Sequence, residues 1–138
     1  MPNQITVFLE NNKGRLASMC RIIADANVNM TALSVADTAD YGVARIMADK
    51  PKEAVDALLS AGYRAKLVDV SAVAIPNVPG SLATLFEAFD EAGINLEYAY
   101  CFASTEENVT VAFRVENPEM IGTIAEQLGY KLLSSNDL

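Results

Sequence analysis

Two glycine-centred loops are the stretches of this 138-residue chain whose residue types and spacing favour binding chemistry. Gly14 lies between Lys13 and Arg15, directly before an amphipathic segment, and Gly80 precedes a similar segment 66 residues later. The first backbone N–H groups of a helix have no intrahelical acceptors and lie at the positive end of the helix dipole. Glycine lets a ligand approach that backbone closely, so each loop predicts a site for a small anion such as a carboxylate.

The same residues also have simpler interpretations. Either glycine could serve only a tight turn from a strand into a helix. Lys13 and Arg15 could be a solvated surface pair. Ser81 follows Gly80 where Arg15 follows Gly14, so the two loops need not bind alike.

The composition argues against several classes of function. The chain contains no histidine, the commonest general base and transition-metal ligand, and its net charge is -8. An acidic surface disfavours nucleic acid and anionic membranes as partners. Cys20 and Cys101 fit neither a disulfide framework nor a metal site, so we expect reduced core residues and no metal or cofactor.

Catalysis has no clear support in the sequence. Glu10, Asp37 and Glu97 are available as acid–base groups, but no pair has a convincing spacing, and surface carboxylates explain them better. With no arrangement of nucleophile and base, we do not expect an enzyme. The sequence shows neither a secretory signal nor an apolar run of about 18 residues, so a soluble, cytoplasmic protein is expected.

The chain repeats itself. Positions 66 residues apart are identical at seven further places, which we read as a duplication: Val7 and Val73, Asn11 and Asn77, Leu16 and Leu82, Ala17 and Ala83, Ala26 and Ala92, Asn29 and Asn95, and Val43 and Val109. Later the spacing becomes 67, where Pro51 matches Pro118 and Gly62-Tyr63 matches Gly129-Tyr130. One inserted residue, in the loop or strand before Pro118, explains the change.

Each copy is predicted to contain strand, helix, strand, strand, helix and strand. The first helix of each copy has a core face with i, i+3, i+4, i+7 spacing: Leu16, Met19, Cys20 and Ile23, then Leu82, Leu85, Phe86 and Phe89. Asn27 and Gly93 suit the left-handed position that ends these helices. Pro51 and Pro118 are expected at the start of the second helix, and the last strands are RAKLVDV and KLLSS.

This order predicts an α+β protein of two ferredoxin-like βαββαβ units, each an antiparallel sheet with its helices on one face. We place the units at residues 1–70 and 71–138. Because no Gly, Pro or Ser linker separates them, we expect them to pack rigidly side by side. Their small size and exposed sheet edges indicate a homodimer.

The second copy resembles the ACT domain. Its loop reads N-x-P-G-x-L-A from Asn77 to Ala83, and its helix ends in A-G-I-N at Asn95. The first copy is more divergent: Lys13 replaces the proline, and Asn27-Val28-Asn29 replaces Gly-Ile-Asn. The resemblance covers essentially the whole chain as a tandem pair.

This resemblance implies a non-catalytic regulatory protein that binds a small molecule, in this family chiefly an amino acid, and modulates a metabolic enzyme in trans. It also implies ligand contacts from the glycine loops and the starts of the second strands. The corresponding residues here are Asn11, Asn12, Lys13, Gly14, Arg15, Leu16 and Asn29, with Asn77, Val78, Pro79, Gly80, Ser81, Leu82 and Asn95 in the second copy. The alternative is a regulatory or structural subunit that binds a partner enzyme without a ligand of its own.

Overall fold

The computed structural model describes residues 1–10, 12–37 and 41–138. These divide into two compact units, Asn3–Val68 and a second formed by Asp69–Leu138 together with Met1–Pro2. We call them the first and the second repeat. The domain ranges predicted from the sequence, 1–70 and 71–138, stay a prediction.

The first repeat follows the predicted order. Its elements are β1 (Asn3–Glu10), α1 (Arg15–Asp25), β2 (Met30–Asp37), β3 (Tyr41–Ala48), α2 (Pro51–Ser60) and β4 (Arg64–Asp69). The strands form one four-stranded sheet in the order β2-β3-β1-β4. Alternate residues of β1, Ile5, Val7 and Leu9, join Met19 and Ile23 of α1 in a buried core. The opposite side chains of β1 therefore lie on the sheet face without helices.

The second repeat has the same plan. Its elements are β5 (Ser71–Pro76), α3 (Ser81–Glu91), β6 (Leu96–Phe102), β7 (Asn108–Val115), α4 (Ile121–Leu128) and β8 (Lys131–Leu132), and the sheet order is β6-β7-β5-β8. The described strands thus confirm two ferredoxin-like units of the α+β class. Phe113 of β7 is fully buried, with its ring centre 5.1 Å from that of Phe89 on α3.

The predicted ends of α1 and α3 are confirmed. Asn27 has a φ of 61° and Gly93 a φ of 71°, both in the left-handed region. The following N–H groups, of Val28 and Ile94, donate to the carbonyls of Ile23 and Phe89 at 3.2 and 2.9 Å. This is the hydrogen bond of a Schellman ending, in which the residue after the left-handed one points its apolar side chain back to the helix.

Two predictions about burial are wrong, one for the leucines Leu16 and Leu82 and one for Cys101. Leu16 and Leu82 are 41% and 37% exposed, because the first turn of each helix extends past the core that Met19 and Leu85 enter. Cys101 is exposed, since it lies on β6, an edge strand of its sheet. Cys20 is partly buried and packs against the core of the first repeat.

Two elements of the second repeat differ from the sequence prediction. Pro118 begins a short 3-10 turn, Pro118–Met120, and the α-helix starts at Ile121. The last strand is only Lys131–Leu132, followed by a turn at Ser135–Asp137. The Ser134 N–H and hydroxyl donate to the Asp137 carboxylate at 2.8 and 3.0 Å, and these bonds hold the pKa of Asp137 below its ordinary value.

The inserted residue lies earlier than the sequence suggested. In the first repeat Val7 pairs with Ala44, whereas in the second Val73 pairs with Val111. Ala44 and Val111 are therefore equivalent positions. The spacing between equivalent residues is thus 67 at the third strand of each repeat, β3 and β7. The match between Val43 and Val109 is wrong, and the extra residue falls in the connection between β6 and β7.

No helix among the described residues is long and apolar enough to cross a membrane.

Candidate functional site

Both glycine loops begin their helices with the same backbone geometry. Gly14 has a φ of 87° and Gly80 a φ of 91°, in the left-handed region that favours glycine. Each lies at the N-cap of its helix, and neither helix has a side-chain cap there. A Cβ built on either glycine would have no atom of the described residues within 4 Å, so the backbone conformation, and not crowding, requires glycine.

The start of α1 has backbone donors available. The Arg15 N–H has a long bond of 3.4 Å to the Asn12 carbonyl. Within the part of the chain that the structure describes, the next two N–H groups, of Leu16 and Ala17, have no acceptor. The start of α3 is alike, with a 3.4 Å bond from the Ser81 N–H to the Val78 carbonyl. Both helix starts can therefore offer donors to an anion.

A tyrosine hydroxyl fixes each helix start to the end of the second helix in the same repeat. Tyr63 donates to the Arg15 carbonyl at 3.1 Å, and Tyr130 donates to the Ser81 carbonyl at 3.4 Å. In the first repeat the Arg15 guanidinium also stacks on the Tyr63 ring, with its carbon 3.9 Å from the ring centre. The Gly-Tyr pair that the two copies share thus positions the glycine loop.

Replacing Tyr63 by phenylalanine tests this role. We expect the free energy of unfolding to fall by about 1 kcal/mol, because a half-buried hydrogen bond is lost while the packing of the ring is kept. Urea denaturation of the wild type and Tyr63→Phe measures the change. Tyr130→Phe is the matched control, with a smaller expected loss because its bond is longer; equal stability of wild type and Tyr63→Phe would refute the role.

A pocket opens beside the glycine loop of the first repeat. Its volume is about 280 Å³, and it is lined by Phe8, Leu9, Glu10, Arg15, Tyr41, Gly62 and Arg64. Phe8 and Tyr41 meet edge to face with ring centres 6.0 Å apart. The lining combines an aromatic wall with two guanidinium groups and one carboxylate, as small-molecule sites do.

The charges at this pocket do not neutralise one another. Within residues 1–10, 12–37 and 41–138, neither Arg15 nor Arg64 has a carboxylate oxygen within the 4.0 Å of an ion pair. The Nε atom of Arg15 is buried without a hydrogen-bond acceptor in the part of the chain that the structure describes. Arg64 and Lys66 both lie 5.9 Å from the ring centre of Phe8. In a protein of net charge -8, this is a local concentration of cations available to an anion.

The second repeat lacks the set of aromatic and charged residues that lines this pocket in the first repeat. By the observed strand register and the repeat spacing, Ala74, Pro76, Ser81, Asn108 and Lys131 stand where the first repeat has Phe8, Glu10, Arg15, Tyr41 and Arg64. Both aromatic rings, the carboxylate and both guanidinium groups are therefore missing. A cavity of about 220 Å³ in this repeat lies elsewhere, near Pro2, Pro118 and Leu132, and no charged side chain lines it.

The other predicted site residues of the first repeat differ in how close they lie to the pocket. Asn11 lies outside the described residues. Asn12 donates to the Glu10 carboxylate at 3.1 Å, so it borders the pocket. Lys13 and Leu16 are exposed at the loop. Asn29 donates its backbone N–H to the Asp49 carboxylate at 2.9 Å, beyond the far end of α1 and away from the pocket lining.

In the second repeat, Asn77 stabilises a turn. Its side-chain amide donates to the Thr105 carbonyl at 2.8 Å, and its backbone N–H donates to the Glu107 carbonyl at 2.9 Å. Val78, Pro79, Gly80, Leu82 and Asn95 are exposed, whereas Ser81 is buried. Their role in ligand binding stays a prediction.

Sequence reasoning missed Phe8, Tyr41 and Arg64 as site residues. They come from β1, β3 and β4, and only the strand order and register bring them together. A usable signal was present: Phe8 with Glu10, and Arg64 with Lys66, are pairs two residues apart, each on one face of its strand. The described residues include no group of His, Cys, Asp and Glu side chains able to hold a metal ion.

The chain matches the family of the ACT domain pair over residues 2–135. It therefore belongs to that family, as the loop motifs of the second copy predicted. None of the curated protein sequences matches the chain significantly.

Solved structures share the fold over nearly the whole chain. A protein from Bacteroides thetaiotaomicron is 32% identical, with a TM-score of 0.90 over 99% of this chain and 94% of that one. The ligand-free regulatory subunit of aspartate kinase from Thermus thermophilus is 22% identical, with a TM-score of 0.68 over 91% of each chain. The corresponding subunit from Thermus flavus is also 22% identical, with a TM-score of 0.65 over 91% of this chain and 90% of that one.

Proposed function

We propose that this protein is a non-catalytic regulator that binds an amino acid and modulates a metabolic enzyme in trans. The observation that carries the proposal is the pocket beside Gly14, where Arg15 and Arg64 have no carboxylate partner among the described residues and Glu10 shares the lining. Guanidinium groups bind a carboxylate in a planar, bidentate manner, and a carboxylate binds an ammonium group. An α-amino acid carries both of those groups.

Membership of the ACT domain pair family supports a regulatory role. The solved structures with this fold include regulatory subunits of aspartate kinase, which supports a regulator that modulates an enzyme in trans. We further propose that the protein works in the cytoplasm as a homodimer, the assembly that its small units and open sheet edges favour.

A thermal shift panel of the twenty amino acids tests the proposal. At a concentration 100-fold above its Kd, a ligand that binds only the folded state adds about 2.7 kcal/mol of stability, equivalent to a rise in Tm of several degrees. We expect such a rise for one amino acid or a small related group. Calorimetric titration of that amino acid gives its affinity.

Silence across the whole panel would contradict the sensor. It would favour the alternative, a subunit that binds a partner enzyme without a ligand of its own.

A further inference from the structure

We propose that the ligand of the first repeat is an α-amino dicarboxylate, with one carboxylate held by Arg15, the other by Arg64, and its ammonium group held by Glu10. This inference rests on the proposed function and adds to it the class of ligand and the residues that read it. It begins from the number and sign of the charges around one pocket of about 280 Å³.

The pocket presents two positive groups and one negative group. A neutral zwitterion would satisfy Glu10 and one arginine, and the second guanidinium would remain without a counter-charge. An amino acid with a carboxylate in its side chain has the complementary set, two negative groups and one positive. Because charge-assisted hydrogen bonds are the stronger ones, the best ligand is the one that satisfies every charged group of the site.

The surroundings of each charged group fit this assignment. Stacking of Arg15 on Tyr63 at 3.9 Å holds the guanidinium in place, and its Nε atom is buried with no acceptor from the described residues. Arg15 is also the first residue of α1, and it is the residue of that helix start that lines the pocket.

Arg64 and Glu10 differ from Arg15 in burial, because both of their side chains are exposed. Lys66 lies beside Arg64 near Phe8 and adds to the positive potential at that end of the pocket. Glu10 is held by the Asn12 side-chain amide at 3.1 Å, which leaves its other oxygen available to an ammonium group. The Phe8 and Tyr41 rings cover the methylene groups that join the charged ends of such a ligand.

The second repeat gives an internal contrast. With Ser81, Lys131 and Pro76 at the three equivalent positions, it retains one of the three charged groups. We therefore expect one ligand per chain, bound in the first repeat, although the second repeat is nearer to the family motif.

Isothermal titration of the full chain in a low-salt buffer without phosphate tests the assignment. The probes are L-glutamate and L-aspartate, their amides L-glutamine and L-asparagine, and the dicarboxylates glutarate and succinate, which lack the ammonium group. We expect one acidic amino acid to bind about tenfold or more tightly than its amide and than its amine-free counterpart, since each comparison removes one charge-assisted contact. The expected stoichiometry is one per chain.

Variants locate the site. Arg64→Gln is expected to lower the affinity for the acidic amino acid about tenfold or more, and to change the affinity for its amide much less, so the preference is lost. Arg21→Gln is the matched control, with the same change of charge on a side chain of α1 that is 76% exposed and does not line the pocket. Glu10→Gln should bring the affinity for glutamate close to that for glutarate.

The outcomes separate this inference from the proposed function. Equal binding of acid and amide, or a preference that survives in Arg64→Gln, overturns the dicarboxylate assignment and leaves an amino-acid sensor with another ligand or site. Failure of all twenty amino acids to bind overturns both. Circular dichroism verifies that each variant folds, as expected for Arg64 because the described residues show no hydrogen bond to its side chain.

Discussion

Phe113→Ala is expected to lower the free energy of unfolding by about 3–5 kcal/mol, the largest effect of any substitution considered for this protein. Phe113 is fully buried in the core of the second repeat. Its ring centre lies 5.1 Å from that of Phe89, at an interplanar angle of 53°. Truncation loses the burial of a large apolar side chain and leaves a cavity that the sheet and α3 fill only in part. Urea denaturation followed by far-UV circular dichroism measures the loss.

Phe86→Ala is the matched control for that substitution. Phe86 belongs to the same helix as Phe89, at a ring-centre distance of 6.1 Å, but it is only partly buried. Truncation of Phe86 should lower the free energy of unfolding clearly less than truncation of Phe113. If both variants lost the same stability, Phe113 would not be the centre of the core of the second repeat.

Gly80→Val is expected to destabilise the protein by about 1–3 kcal/mol through the backbone alone. The φ of 91° at Gly80 is unfavourable for any residue with a Cβ, most of all a β-branched one, while the space around that Cβ is open. Denaturation again gives the magnitude. The matched substitution Gly14→Val should behave alike, because Gly14 has a φ of 87° and the same open space.

Gly122→Ala is the control of opposite sign. Gly122 lies within α4, where alanine is about 1 kcal/mol better than glycine, and its Cβ would be 3.5 Å from a methyl carbon of Leu132, an ordinary contact. A small gain in stability is therefore expected. If Gly80→Val were as stable as the wild type, the left-handed geometry at the helix start would not be what requires glycine.

The fold was predictable because local signals agreed with one another. The apolar periodicity of α1 and α3, and the residues at Asn27 and Gly93, defined the helices and their ends without any knowledge of tertiary packing. The wrong predictions concerned how far each side chain lies from the core. Leu16 has the right spacing for the apolar face, but it lies one turn too early along the helix to be covered.

The pocket was only partly predictable. Arg15 was a candidate because it follows Gly14 in the chain, but Phe8, Tyr41 and Arg64 come from three different strands. Their proximity depends on the strand order and on the pairing of Glu10 with Tyr41, neither of which is encoded in a short motif. A residue-level strand register is the information that the sequence pattern lacked.

The extra residue between β6 and β7 bears on how such a gene can diverge after duplication. Side chains alternate in a strand, so an insertion inside β7 would have turned Val111 outward and Thr110 inward. In the connection, the same insertion leaves the hydrophobic alternation of every strand intact. Lengthening at such connections is therefore nearly neutral during evolution, and it allows two halves to drift apart in sequence and length while each remains able to fold.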